Sequence, residues 1–258
     1  DGEVVITAKE AVSLREAEGT MVVVGGGVIG MELGMVYQNL GMKVVVVELM
    51  DQLLGTVDKD MVKVVERAFK KGGGEVLLKS KASTIKVEGK KATITVELPS
   101  GESRDIEASR VLMAIGFKPN SGDVGLDKAG VKTDKRGHIT VNERLETNVP
   151  GVYAVGDVTG GPYLAHRASK QGEVAAEVIA GHKAAADWRG MPAAIFTEPQ
   201  IATVGLSERE AKESGRKVKI GKFPFAASGR AMAVRVDDVA AFINRAMEPI
   251  STLKQAYL

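Results

Sequence analysis

Three glycines at fixed spacing, Gly25-x-Gly27-x-x-Gly30, restrict this chain more than any other feature of its sequence. They follow an apolar, β-branched run, Thr20–Val24, and open a stretch (28–40) whose apolar residues recur at helical spacing until Gly41. A tight bend between a buried strand and a helix is the context this motif requires. Gly25 permits the turn, Gly27 lets the backbone approach a pyrophosphate, and Gly30 lets the helix sit close to the sheet. The free N–H groups at the helix start then face the anion. Gly26, Val28, Ile29 and Met31 complete the candidate binding segment.

The next run extends the same logic. Lys43–Val47 is continuously β-branched and closes on Glu48, 18 residues beyond Gly30. A carboxylate there can accept hydrogen bonds from both hydroxyls of an adenine ribose. A 2′-phosphate would be repelled by Glu48 and would need Arg or Lys, yet the chain continues Leu49-Met50-Asp51. The cofactor this predicts is NAD(H), not NADP(H). Residues 58–71 read as an amphipathic helix capped by Asp58, with Val62, Val65 and Phe69 on one face and Gly72–Gly74 at its end. A third strand begins over 75–78. Strand, helix, strand, helix, strand is the pattern of a parallel sheet covered by helices.

The pattern then changes. Period-two alternation over 82–87 and 92–98, around Glu88-Gly89-Lys90, predicts an antiparallel hairpin. Ala82, at its start, is counted with the nucleotide site. Residues 110–115 read as a buried strand ending at Gly116, and 117–134 as a polar crossing between domains. A strand is expected over 151–155, running into Gly156-Asp157, and a helix over 164–180. Short strands follow at 193–196 and Ile201–Val204. Ser207-Glu208-Arg209-Glu210 has the spacing of a capping box. No internal repeat or low-complexity tract is present.

Composition excludes several functions. The 258 residues carry 35 Lys+Arg against 33 Asp+Glu, a net charge too small to argue for nucleic acid or an anionic membrane. There is no cysteine, hence no disulfide, thiolate metal site or cysteine nucleophile within these residues. The three histidines, His138, His166 and His182, lack metal-ligand spacing. No uncharged run approaches a membrane span, so a soluble, cytoplasmic protein is expected. The chain opens on Asp1 without a signal-peptide pattern, which suggests removal of a segment or numbering that begins inside a longer polypeptide.

One segment carries a wider resemblance. Thr147-Asn148-Val149-Pro150-Gly151-Val152-Tyr153-Ala154-Val155-Gly156-Asp157 resembles the second flavin-binding motif of the FAD-dependent pyridine nucleotide–disulfide oxidoreductases. That resemblance implies a hydrogen bond from a ribitol hydroxyl to Asp157. Tyr163-Leu164-Ala165-His166-Arg167-Ala168 resembles the family's segment whose backbone amides face the flavin pyrimidine ring. Met113-Ala114-Ile115-Gly116-Phe117-Lys118-Pro119-Asn120 resembles a strand-end motif that would put Gly116 near the nicotinamide nucleotide. Glu32 matches a family Glu that pairs with a flavin-side Lys, although a Glu in the first turn of a helix, as expected here, also favours the helix dipole without that role. Residues 192–199 and 221–231 resemble the opening of the family's interface domain.

Within the family the likeness is to the members that oxidise a protein-bound dihydrolipoyl group. It implies an α/β chain: a Rossmann-like NAD domain with a parallel sheet and an antiparallel hairpin (1–118), the C-terminal portion of a second, FAD-binding Rossmann-like domain (119–187), and an incomplete α+β interface or dimerisation domain (188–258). It implies FAD and NAD as cofactors, a homodimer, and the lipoyl domain of a 2-oxo acid dehydrogenase complex as partner. Electrons would pass from dithiol to disulfide, to FAD, to NAD⁺. The family's first dinucleotide motif, redox Cys pair and C-terminal His are not in these residues: 242–249 has no His, and 253–258 is only faintly like the final helix. No catalytic residue in the strict sense is therefore expected here. Other readings of the same residues are a non-catalytic NAD-binding fragment or paralogue, an interaction subunit, and another disulfide reductase of the family.

Overall fold

A computed structural model describes residues 2–188, 190–215 and 217–223. The segments 224–231, 242–249 and 253–258 singled out above lie outside the described residues. The described residues divide into two compact units, one of 2–115 together with 194–215 and 217–223, the other of 116–188 and 190–193.

In chain order the first unit begins with β1 (Val5–Ile6), α1 (Ala8–Ala11), β2 (Thr20–Val24) and α2 (Val28–Asn39). It continues with β3 (Lys43–Val47), α3 (Lys59–Lys71) and β4 (Glu75–Leu77). Next come β5 (Lys81–Glu88), β6 (Lys91–Glu97), β7 (Ser103–Ala108) and β8 (Arg110–Met113). β1, β8, β2, β3 and β4 form, in that order, a five-stranded sheet in which every pair is parallel.

Strand parity sorts the valines. Met21, Val23, Val44, Val46 and Leu112 point to one face, where Met31 and Met35 of α2 and Val65 and Phe69 of α3 cover them. Val22, Val24, Val45, Val47 and Val111 point to the other, against Ile94, Val96 and Ile106 of a second sheet. Both faces are buried, which is why β2 and β3 read as unbroken apolar runs.

The second sheet, β5-β6-β7, is antiparallel and has one strand more than the hairpin expected from sequence. β7 reads Ser-Arg-Asp-Ile-Glu-Ala, and only Ile106 and Ala108 turn inward, so its polar face hides the alternation. β1 and α1, two and four residues long, are too short for a hydrophobic pattern to repeat and so leave no signal in the sequence. Glu75 and Arg104 tie the two sheets together through paired contacts of 2.5 and 3.1 Å. The Arg104 hydrogen bond holds the Glu75 carboxyl below its ordinary range. Both side chains are more than a third exposed, so screening keeps the pair's worth below about 1 kcal/mol. Arg104→Met should cost that little at pH 7. Because the folded pKa of Glu75 is depressed, the contribution is full above the ordinary glutamate pKa of about 4.3 and fades as pH falls through the folded value. Urea unfolding of both proteins from pH 7 to pH 3 should show their stabilities converging.

Asp58 precedes α3 but makes no side-chain cap to it. Asp58 holds the N-cap position as expected, and its backbone oxygen accepts the Val62 N–H at 3.2 Å, while its side chain is directed elsewhere. Its Oδ1 accepts the Glu208 N–H at 3.1 Å, at the first residue of α5 (Glu208–Glu213), and burial pushes its carboxyl upward. α5 also carries the capping box of Ser207 and Glu210. Before it, β9 (Pro192–Ile195) and β10 (Ile201–Val204) pair in a two-stranded sheet.

The second unit holds a 3-10 turn (Asp157–Thr159) and α4 (Ala165–Ile179). Residues 151–155 do not form the strand expected from sequence. Thr147 N–H bonds Val152 O at 2.9 Å, Val152 N–H bonds Val149 O at 3.1 Å, and one isolated bridge joins Tyr153 to Glu146. Pro150-Gly151 closes this segment into a turn before a ladder can form. No helix among the described residues is long and apolar enough to cross a membrane.

Candidate functional site

The glycine bend sits between β2 and α2, and its four close-set glycines have different physical reasons. Gly25 has φ +106°, and a Cβ there would lie 2.5 Å from Ala114 O. At Gly30 a Cβ would lie 2.0 Å from Gly25 O, so α2 approaches the strand only because that side chain is absent. A Cβ on Gly26 would lie 2.4 Å from buried Leu53. Gly27 differs from all three. Its φ is −74°, and a Cβ would meet nothing within 4 Å. No neighbour among the described residues requires a glycine there, and the open space leaves the backbone accessible to an external group.

The helix behind the bend is ready for an anion. Met31 N–H donates to Gly27 O at 3.0 Å, the first rung of the helical ladder, so the amides before it have no partner within the helix. No side chain caps this end and no acid occupies its first turn. Within α2 itself nothing opposes its positive end. A pyrophosphate fits both features.

Glu48 leaves the end of β3 and turns back to the bend. Its Oε2 accepts the Gly26 N–H at 2.6 Å and its Oε1 accepts the Met50 N–H at 2.7 Å. The carboxylate is half-buried and fixed in direction, and each oxygen keeps acceptor capacity for a further donor. The bend's second amide is thus committed to Glu48 rather than to an anion. Leu54 N–H bonds Gly26 O at 2.8 Å, bringing the loop after β3 under the bend. Leu49 and Met50, both well exposed, flank the acid without adding positive charge. Ser80 N–H bonds Glu48 O at 3.0 Å, and Ala82 follows two residues later, half-buried against the second sheet's side of the core.

Glu32 lies one turn further along α2 and faces elsewhere. Its Oε1 accepts the Phe196 N–H at 2.7 Å, and nearby Glu198 N–H points at Met35 Sδ. Gly116 has φ +110° with open space at its Cβ position.

In the second unit Asp157 is exposed at the start of its turn, and its carboxylate makes no hydrogen bond among the described residues. Its acceptors are available to a ribitol hydroxyl. The turn is held from behind. Gln171, only 1% exposed, accepts the Gly156 N–H at 2.6 Å and donates to Thr159 Oγ1 at 3.2 Å. Thr159 Oγ1 donates to Gly156 O at 2.8 Å. Arg167, buried at the next turn of α4, donates to Gly160 O at 2.7 Å and lies over the Trp188 ring at 5.2 Å. Burial presses its pKa down, against the attraction of Asp157. The start of α4 has neither a side-chain cap nor an acid in its first turn, so the amides of Leu164, Ala165 and His166 have no helical partners. These features fit a flavin's sugar and ring edge. The His166 ring itself pairs with Pro192 O at 2.8 Å.

Gln171 and Arg167 escaped the sequence reading. Their signal is positional: Arg167, Gln171, Val174 and Val178 fall on one buried stripe of α4, where a polar residue needs a partner. Gln171→Leu leaves the Gly156 N–H without its acceptor, at a cost of about 2 kcal/mol. Hydrogen exchange at the Gly156 amide should accelerate correspondingly.

Residues 2–172 match the family described as pyridine nucleotide-disulphide oxidoreductase, and residues 191–243 match that family's dimerisation domain. The chain belongs to the pyridine nucleotide-disulphide oxidoreductases, as the 147–157 motif led us to expect. Among its relatives, the dihydrolipoyl dehydrogenase of Geobacillus stearothermophilus is 41% identical over 234 residues, 91% of this chain and 50% of that protein. The dihydrolipoyl dehydrogenase of Bacillus subtilis is 40% identical over 237 residues, 92% of this chain and 50% of that protein. The mitochondrial dihydrolipoyl dehydrogenase of Pisum sativum is 41% identical over 236 residues, 91% of this chain and 47% of that protein. Of solved structures, LpdA from Mycobacterium tuberculosis superposes with a TM-score of 0.82 at 30% identity, covering 91% of this chain and 50% of that one. The HOCl-induced flavoprotein disulfide reductase RclA from Escherichia coli gives 0.79 at 25% identity, covering 89% and 52%. The chain spans about half the length of the curated relatives it matches.

Proposed function

We propose that this chain is the NAD-linked part of a dihydrolipoyl dehydrogenase, a flavoprotein that oxidises the dihydrolipoyl group of 2-oxo acid dehydrogenase complexes. The observation that carries the NAD(H) reading is Glu48, braced by two backbone amides at the end of β3 and followed by no Arg or Lys through Asp51. Gly25, Gly27 and Gly30 shape the diphosphate cradle, with Val28, Ile29 and Met31 on the first turn behind it. Glu48 takes the adenine ribose, while Ala82 and Gly116 border the same nucleotide. Asp157 and Tyr163–His166 hold part of FAD.

FAD and NAD, when bound, supply the electron and hydride transfer, and the protein supplies binding, orientation and electrostatics. Residues 1–118 serve as the NAD domain, 119–187 as part of the FAD domain and 188–258 as part of the interface domain. Glu32 is the residue of this chain directed to the flavin-side Lys, and its bond to Phe196 N–H fixes its carboxylate meanwhile. The assembly is a cytoplasmic homodimer whose partner is a lipoyl domain. The dithiol–disulfide step belongs to groups outside these residues, since they contain no cysteine.

The full-length protein should show a flavin absorbance spectrum and reduce NAD⁺ with dihydrolipoamide, with NADP⁺ at least tenfold poorer. Absence of flavin, or a preference for NADP⁺, overturns the proposal. A second reading, a non-catalytic NAD-binding module, is favoured by the missing cysteines alone. It predicts tight NADH binding with no flavin spectrum in the full-length protein.

A further inference from the structure

In the second unit Asp134 and His138, neither yet given a role, form a hydrogen-bonded line with Tyr163. The Asp134 carboxylate lies 3.0 Å from His138 Nδ1, and His138 Nε2 lies 2.8 Å from the Tyr163 hydroxyl. Asp134 is fixed by its own loop, its Oδ1 accepting the N–H groups of Arg136 and His138 at 2.8 and 2.9 Å. Its Oδ2 is left aimed at the ring. The His138 side chain is only 13% exposed and lies against Gly160, where an added Cβ would come within 3.2 Å of the ring. Ile139 N–H bonds Val158 O at 2.8 Å, so the His138 segment is also tied to the Asp157 turn by backbone.

A carboxylate only accepts, so the neutral ring carries its proton on Nδ1 and presents a lone pair at Nε2. The Tyr163 O–H must then donate to it. Tyr163 is the residue immediately before Leu164, whose segment offers its amides to the flavin. The loop from Gly160 to Tyr163 is thus gripped from two sides, by Arg167 at Gly160 O and by His138 at the Tyr163 hydroxyl.

We infer that Asp134 and His138 are positioning residues for FAD, acting through the Tyr163 hydroxyl to hold the amides of Leu164–His166 in the orientation that receives the flavin ring. The inference rests on the FAD reading above. It assigns a directional chain, carboxylate to imidazole to phenol, to residues scattered over 30 positions of the sequence.

Direction makes it testable without removing bulk. Asp134→Asn keeps the Oδ1 bonds to the loop but sets an NH₂ group against Nδ1. The ring must then switch its proton to Nε2, and the bond to the Tyr163 hydroxyl reverses, with Nε2–H donating and the phenol oxygen accepting. Tyr163→Phe removes the bond altogether. Nitrogen-15 NMR of His138 in this chain should report the Nδ1–H tautomer in the parent and Nε2–H in Asp134→Asn. In the FAD-loaded full-length protein, Tyr163→Phe should shift the flavin absorbance bands and weaken FAD about fivefold, the worth of one hydrogen bond, whereas Asp134→Asn, which keeps the bond reversed, should change both less. An Nε2–H tautomer in the parent overturns the inference. So does a parent that takes up FAD while Tyr163→Phe matches it in spectrum and affinity. A parent that takes up no FAD overturns both this inference and the function it rests on.

Discussion

Replacing Gly27 with Ala should leave folding stability within about 1 kcal/mol of the parent while weakening NADH binding at least tenfold. The methyl group enters open space at an ordinary φ of −74°, and alanine restricts the unfolded chain more than glycine does. The damage falls on the ligand alone, because the diphosphate must approach the backbone there. Gly30→Ala is the opposite case. Its Cβ would sit 2.0 Å from Gly25 O, and either α2 or the bend must move. That overpacking costs about 3 kcal/mol, at the upper end for a single methyl group. Thermal unfolding and calorimetric titration of both variants separate the two roles. If Gly27→Ala unfolds early, or binds NADH as the parent does, the cradle is misassigned.

The second large effect is expected at Glu48. Glu48→Gln keeps the shape but replaces one acceptor oxygen by an NH₂ group, which must face either the Gly26 or the Met50 N–H. Losing that acceptor costs about 1–2 kcal/mol of stability. Binding changes more. The ribose loses a charged acceptor, and a charge-assisted hydrogen bond is worth about 1.5–3 kcal/mol, so NADH affinity should fall by about tenfold or more. NADPH should be affected less, because removing the negative charge also removes its repulsion of the 2′-phosphate. Fluorescence titration with both nucleotides should therefore show discrimination between them collapsing. Retained discrimination would mean that another group selects the cofactor.

The parts of the fold legible in the sequence were those where one local rule sufficed. β2 and β3 are apolar on both faces because helices cover one side of the sheet and β5-β6-β7 the other. The bend was legible because Gly25 and Gly30 answer steric demands a few residues away. β7 was not, because four of its six residues are polar and it gains its place only by pairing with β6. Residues 151–155 carry an apolar strand-like pattern, yet Pro150-Gly151 and the hydrogen bonds to Val149 and Thr147 close them into a turn. Asp58 stands at the N-cap of the helix it precedes, as its place in the sequence implies. Its carboxylate serves a helix that begins 150 residues later, a partnership that local spacing cannot encode. The line through Asp134, His138 and Tyr163 was hidden for the same reason.

The most direct test is a crystal structure of this chain with NADH. The diphosphate oxygens should lie within hydrogen-bond distance of the amides opening α2, over Gly27, with both adenine-ribose hydroxyls donating to the Glu48 carboxylate. A dinucleotide seated anywhere else, or one that leaves Glu48 bonded only to Gly26 and Met50, contradicts the account.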